Sequence, residues 1–375
     1  TLNQIWKNEI IELNRISEEK NLEFFRAWLR AKFAETIRPG RKGAENEDFE
    51  KIGTRFHSWV KDNKVKLGLT TSEDFYDFIN KRMKFYLKIY KTINQASQKW
   101  TKDLESVYYI NERRLASSLL FPLLMAPITM EDTTLIIEKK IALVATYLEM
   151  FVVFRSLNNR NYSHSSIRYT MYSLVKEIRD KTIHELTVTL KEKAKNMEDT
   201  LDGVKYFRMH GTNKRFIKFI LARITHFIEI GSSLPTNFET YMSRNIAKPF
   251  QVEHIWSDDW YQHKDEFDQR DEFEKIRNRI GALVLLPEGF NQSYGALPYK
   301  EKLPHYYGQN LLAKSLCPLC YQHDPSFIRF NNTSGLSFKP HTEYKKKDID
   351  ERQQLYTEIL EQIYDLSIFD EIRDR

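Results

Sequence analysis

The chain has 375 residues, of which 41% are hydrophobic and 13% aromatic, a composition that supports packed cores and excludes wholesale disorder. Glycine and proline number only 12 and 11, which favours long helices over a sandwich or a barrel. The formal net charge of +6 is a mild basic excess, compatible with a polyanionic partner. Because this length exceeds what one ordinary core accommodates, we expect two domains.

The N-terminal part carries apolar residues at the three- to four-residue spacing of amphipathic helices. Thr71, followed by two acidic residues, predicts a capped helix start, since a hydroxyl and early carboxylates satisfy free N–H groups. The predicted helical stretches include Leu22–Phe33, Phe49–Trp59, Phe75–Ile89, Asn111–Met125, Glu131–Leu157, Ser165–Leu190 and Gly211–Glu229.

After a loop at 231–235 the pattern changes. Phe250–Ile255 alternates as a strand should, and Ile280–Leu286 is a compact apolar run that Pro287 ends. The tail from Ile349 to about Phe369 is again helical. We therefore predict a mainly α protein, with an all-helical domain over 1–235 and a small α+β domain with a C-terminal helix over 236–375.

The environment of the protein can also be predicted. Cys317 and Cys320 are the only cysteines, so no disulfide framework exists and a reducing compartment is expected. The most apolar runs, Ser118–Met130 and Ile141–Phe154, are shorter than the roughly 20 residues of a spanning helix. With no recognisable signal peptide, we expect a cytoplasmic protein without a membrane partner. The chain opens on Thr1 rather than Met, which indicates a processed chain or a fragment.

The residues best suited to chemistry surround the two predicted strands. Hydrolysis of a phosphodiester needs a base that takes a proton from water and a cation that neutralises charge on the phosphate. Glu253 and His254 end the first strand, and Asn291 follows the second. A carboxylate and an amide oxygen are ligands that Mg²⁺ accepts. Strand alternation, however, puts Glu253 and His254 on opposite faces unless the strand frays there.

Three segments then carry a resemblance to a known family: VEHI, RNRIGALVLLPEGFNQSYGALPYKEK and HYYGQNLLAKSL. Over about residues 250–316 they resemble the HNH-like C-terminal domain of GmrSD-type, modification-dependent restriction endonucleases, a group that acts on glucosylated or phosphorothioated DNA. The resemblance implies a ββα-metal nuclease domain that cuts or nicks double-stranded DNA with Mg²⁺ or Mn²⁺ in anti-phage restriction. It also implies an upstream nucleotide-hydrolysing sensor domain, and products with a 5′-phosphate and a 3′-hydroxyl.

The resemblance assigns roles to individual residues. His254 matches the general base and Glu253 the metal-binding acid beside it. Asn291 matches the Asn after the second strand, with a catalytic and metal-binding role. Lys302 matches a lysine that contacts phosphate, although such a residue is also a common solvated surface charge.

The chain departs from the family pattern at two positions. Ser257 stands where the family commonly has Pro, and Ala282 stands where an Asn typically orients the catalytic histidine. Asn278, also considered as a substrate-binding residue, and a backbone carbonyl are the candidates to replace that Asn. These departures leave open an alternative, a catalytically weakened DNA-binding or scaffold module of a restriction complex. An RNA nuclease is a third reading, because the site itself selects neither sugar.

A separate pattern of cysteines and histidines concerns zinc. Cys317, Cys320 and His323 have the spacing of half a structural zinc site, and His341 is a candidate fourth ligand. The family resemblance does not call for cysteines at these positions.

Overall fold

The computed structural model describes residues 20–375, together with Gln4, Lys7 and Ile11. In this part of the chain the fold is mainly helical, with one two-stranded sheet, as the sequence predicts. Every helix among the described residues falls short, in length or in apolar character, of what a bilayer crossing requires. The chain forms two compact units. The helical unit comprises residues 20–155, Arg160–Glu198 and Leu366–Arg375, and the sheet unit comprises Ser156–Asn159 and Asp199–Asp365.

The helical unit follows local sequence signals closely. The predicted cap at Thr71 is confirmed, since its hydroxyl accepts from the Asp74 N–H and the Asp74 carboxylate accepts from the Thr71 N–H. Its helices are α1 (Lys20–Lys32), α2 (Asp48–Thr54), α3 (Phe56–Asp62), α4 (Ser72–Asp77), a π-helical turn (Phe78–Met83), α5 (Lys84–Gln98), α6 (Glu105–Glu112), α7 (Ser117–Met125), α8 (Thr134–Leu157, which ends in the sheet unit), α9 (His164–Ile178) and α10 (Ile183–Lys195). The last helix of the chain, α20 (Ser367–Asp374), belongs to the same unit.

The predicted helix Ser165–Leu190 is in fact two helices, α9 and α10. Asp180 lies between them with a left-handed φ of 57°, a backbone conformation that interrupts a right-handed helix. Thr182 and Glu185 then form a capping box that starts α10.

The sheet unit combines short helices with the two strands. Its elements are a 3₁₀ helix (Leu201–Tyr206), α11 (Lys214–Gly231), α12 (Phe238–Met242), β1 (Phe250–His254), a 3₁₀ helix (Trp260–His263), α13 (Arg270–Arg277), a 3₁₀ turn (Ile280–Ala282), β2 (Leu283–Pro287), α14 (Phe290–Tyr294), α15 (Tyr299–Tyr306), α16 (Leu311–Lys314), α17 (Cys320–His323), α18 (Pro325–Ser334) and α19 (Lys346–Ile363). Because α11 packs on both strands, this unit begins before residue 235, where the sequence predicted the boundary.

The two strands lie at the predicted places and pair antiparallel, with His254 opposite Leu283. The pairing extends one residue further, since the Ile255 N–H donates to the Ala282 carbonyl at 2.9 Å. Buried apolar residues of the sheet and of the surrounding helices form a core, in which Trp256 stacks on Phe273 with ring centroids 5.6 Å apart. The register therefore fixes which side chains of β1 face this core.

Candidate active site

His254, the last residue of β1, lines a cavity of about 470 Å³. Four cationic side chains share this cavity with it, three of them from the first turns of α11. Of the described residues that line the cavity, none is acidic: they are Met209, Lys214, Arg215, Lys218, Met242, Arg244, Phe250, Gln251, Val252 and His254. Such a cavity attracts an anion and brings it next to an imidazole.

Asn278, the residue that ends α13, fixes the orientation of the His254 ring. The Asn278 Nδ2 donates to the Glu274 carbonyl at 2.8 Å, so its Oδ1 is directed at His254 Nε2, 3.0 Å away. An amide oxygen only accepts, and Nε2 must therefore carry the proton. The other nitrogen, Nδ1, then holds the free lone pair. This arrangement makes Nδ1 the atom of His254 that can act as a base.

The surroundings also set the charge of His254. Burial lowers its pKa to about 4, and the positive charges of Arg277, Lys302 and Lys214 act in the same direction, while the Asn278 hydrogen bond opposes them. Arg277 is fixed close by, because its Nε donates to the Ser257 carbonyl at 3.0 Å. At neutral pH the imidazole is thus uncharged and ready to accept a proton.

Glu253 points to the opposite side of the strand, as alternation requires. It is 2% exposed, and its Oε1 lies 3.4 Å from the Nζ of Lys302, which is fully buried. The same ammonium group donates to the His254 carbonyl at 3.2 Å. Lys302 is enclosed by protein, pairs with Glu253 and is not among the residues that line the cavity beside His254. The structure therefore does not bring Glu253 and the His254 ring together around one ligand.

The remaining predicted positions are placed as follows. Asn291 belongs to α14, directly after β2, and its side chain lies outside the described part of the structure. Ala282 is fully buried in the core of the sheet unit, so the position that carries the orienting Asn in the family faces away from solvent here. Asn278 orients His254 instead.

Cys317, Cys320 and His323 are not among the residues whose ligand atoms lie within 4.8 Å of one another in the described part of the chain, and a structural zinc site there stays a prediction. Both cysteines are buried thiols, and burial raises their pKa to about 11 and about 12. His323 is exposed. Cys317 donates its S–H to the Leu303 carbonyl, so packing explains it.

In the described part of the chain, one group of three His, Cys, Asp or Glu residues has its ligand atoms within 4.8 Å of one another, namely His341, Asp348 and Glu351. Each already has a protein partner. The His341 Nδ1 lies 3.1 Å from Asp348 Oδ1, the other Asp348 oxygen accepts from the Lys345 N–H at the start of α19, and Glu351 pairs with Lys339. The group is therefore accounted for by a helix cap and ion pairs.

The described residues beside His254 do not form a Mg²⁺ site on their own. Mg²⁺ prefers oxygen ligands, above all carboxylates, whereas the only side-chain oxygen in the described lining is the amide oxygen of Gln251, whose Nε2 donates to Glu288. The cations of the cavity also repel a bare divalent ion.

Sequence reasoning missed the cationic lining. Lys214 and Arg215 are the first two residues of α11, where the helix dipole disfavours positive charge. A local rule broken in this way is typical of functional positions. The Lys-Arg pair at the predicted helix start was thus a usable signal.

The family model for the C-terminal domain of GmrSD restriction endonucleases matches residues 152–359, more than half of the chain. No curated protein matches the chain, and no solved structure does. The chain therefore belongs to the GmrSD restriction endonuclease family, of which it contains the C-terminal domain.

Proposed function

We propose that this restriction endonuclease chain cleaves or nicks double-stranded DNA by HNH-type chemistry, with His254 as the general base. The observation that carries the proposal is the hydrogen bond from His254 to Asn278, which leaves Nδ1 as the basic atom of a residue that lines a cationic cavity. General bases contribute about 10²–10⁴ in rate.

In the proposed reaction, DNA binds with a phosphodiester in the cavity, where Lys214 and Arg244, both exposed, meet its charge. His254 Nδ1 takes a proton from a water molecule, and the water oxygen attacks phosphorus while the bond to the leaving oxygen breaks. The phosphate also counters the cations that lower the pKa of His254. Its binding therefore raises that pKa from about 4 toward the working pH, which makes the imidazole a stronger base.

Dependence on Mg²⁺ or Mn²⁺ is part of the proposal and rests on the family. A divalent ion would neutralise charge on the phosphate and the leaving group. Of the residues predicted from sequence, Asn291 at the start of α14 is the proposed ligand of this ion. The buried Glu253 is a weaker candidate, because it is paired with Lys302. We further propose that the sheet unit is the nuclease domain and acts in anti-phage restriction with a sensor domain of a longer protein.

The alternative function is a DNA-binding or scaffold module without efficient catalysis. The pairing of Glu253 with Lys302 favours it, because this pairing removes the predicted acidic ligand from the histidine. A cationic cavity would serve such a module equally well.

A nicking assay separates the two functions. Supercoiled plasmid is incubated with the chain and Mg²⁺ or Mn²⁺, with EDTA as the control, and a matched RNA tests the choice of sugar. We expect His254→Ala to lose about 10²–10⁴ in rate with DNA affinity unchanged. His323→Ala, which alters an exposed histidine of the same unit, is the matched control. A His254→Ala protein that nicks within about threefold of wild type would assign the base elsewhere.

A further inference from the structure

The helical unit contains a cavity of its own, of about 370 Å³, that the nuclease reaction does not use. Three arginines line it, Arg26 and Arg30 of α1 and Arg168 of α9. Two carboxylates, Glu23 and Glu50, and aromatic side chains of other helices line it as well, and Glu23 already pairs with Lys20 and accepts from the Tyr90 hydroxyl. The volume falls in the range of about 300–1,000 Å³ that is usual for small-molecule sites.

Two of the arginines that line the cavity carry a buried, unpaired donor. Arg30 is 7% exposed and fixed by bonds from its Nε to the Phe49 carbonyl at 2.9 Å and from its Nη1 to the Ser118 carbonyl at 3.3 Å. The Nε atoms of Arg26 and Arg168 are buried and have no hydrogen-bond partner. Buried donors are nearly always satisfied, so unpaired donors on side chains that line a cavity point to an acceptor supplied by a ligand.

Two helix N-termini also meet at this cavity, which Ser117 and His164, the first residues of α7 and α9, both line. Neither helix has a side-chain cap, since the residues before them, Ala116 and Ser163, make no such bond. The first N–H groups of a helix lack intrahelical partners and favour anions. Arginines and helix N-termini together suit a phosphate group.

Glu50 shows that phosphate is not the whole ligand. Its side chain is 8% exposed, and its Oε1 has no hydrogen-bond partner. A carboxylate repels a bare phosphate but accepts from an amino group, as it does from the exocyclic amine of cytosine. Tyr90, Phe121 and Tyr172 supply apolar walls for a ring.

We propose that this cavity binds a nucleotide, with its phosphate among Arg26, Arg30 and Arg168 and an amino-bearing base against Glu50. The nucleotide is either free or part of a DNA strand. This second site lies in the helical unit and is independent of the reaction at His254.

The test measures binding of dCMP, dTMP and inorganic phosphate to the full chain by calorimetry. We expect dCMP to bind about tenfold or more tightly than either of the other two. Arg26→Gln and Arg168→Gln, which each remove an Nε donor without a hydrogen-bond partner, should each weaken dCMP binding about tenfold. Arg160→Gln, which alters an exposed arginine paired with Glu198, is the matched control and should bind as wild type. Circular dichroism shows whether each variant is folded.

Glu50→Gln tests the base. This variant should lose the preference for dCMP over dTMP and bind inorganic phosphate more tightly than wild type does. Displacement of dCMP by a short oligodeoxycytidylate identifies DNA as the source, and its failure to compete identifies the free nucleotide. The proposal is overturned if dCMP binds no more tightly than phosphate, or if the folded Arg26→Gln and Arg168→Gln proteins keep wild-type affinity.

Discussion

Replacement of Asn278 by Asp should turn the partner of His254 into an anion. The carboxylate would accept from Nε2 where the amide oxygen now does, at 3.0 Å. An opposite charge at this range raises the pKa of a histidine by about 1–3 units, so we expect it to rise from about 4 to between about 5 and 7. The variant also loses the bond from Asn278 to the Glu274 carbonyl, which costs about 0.5–1.5 kcal/mol of stability.

The consequence is a shift in the pH dependence of kcat/KM, which reports the free enzyme. At pH 5.5 a histidine of pKa about 4 is about 97% neutral, whereas one of pKa about 6 is only about 24% neutral. Wild-type activity should thus be nearly constant from pH 8 to 5.5, while that of Asn278→Asp falls about fourfold. The uncharged Asn278→Ala should lose rate at every pH, by up to about 10²-fold, because the ring is no longer oriented.

Folding has to be followed in the same pH range. Burial lowers the pKa of His226, His263 and His341 to about 4, below their ordinary value of 6.5. The unfolded chain therefore binds more protons below pH 6.5, and stability is lost as the pH falls from there toward 4. Circular dichroism at each pH identifies this loss. Asn332→Asp, an exposed change on α18, is the control. If the folded Asn278→Asp protein keeps the wild-type profile, His254 is not the titrating base.

Three further changes test other parts of the sheet unit. Lys214→Gln and Arg244→Gln should weaken DNA binding and each reduce the slope of log K against log salt by about 0.9; unchanged slopes would exclude phosphate contacts there. Ala282→Asn puts an amide into a fully buried position, and denaturant unfolding should show a free energy of unfolding lower by about 1–3 kcal/mol. The nicking rate should not rise, and a faster enzyme would contradict the role given to Asn278. Lys302→Met removes the ammonium group that pairs with the buried Glu253 carboxylate and should cost about 3–5 kcal/mol. Glu253→Gln should restore part of this loss, and equal stability of the single and double variants would argue against the pair.

Sequence reasoning succeeded where the determinants are local. The cap at Thr71 depends on groups within three residues, and the strands follow from alternation and an apolar run. The break between α9 and α10 carried the same kind of signal, Thr182 and Glu185 three residues apart, but the apolar periodicity on either side obscured it.

Contacts between residues that are distant in the sequence were harder to predict, because they depend on tertiary packing. The pairing of Lys302 with Glu253 across 49 residues was not predicted, whereas Asn278, which reaches His254 across 24 residues, was one of two candidates for the partner of the histidine. Spacing along the chain does not encode such contacts, because they depend on how the helices settle against the sheet. Family resemblance predicted His254 as the base, and Asn278 was one of two candidates for its partner because the family's usual position carries Ala282, which faces the core here.

The segment between the two strands has a bearing on engineering. It contains Asn278, which orients the histidine, and Arg277, which lies close to it, so the strands by themselves lack the groups that tune the base. A designer who wished to transplant this base into another scaffold would have to move Phe250 to Pro287 as one module. A shorter graft would carry an imidazole of unspecified tautomer, and insertions tolerated elsewhere in the unit would be most harmful just before Asn278.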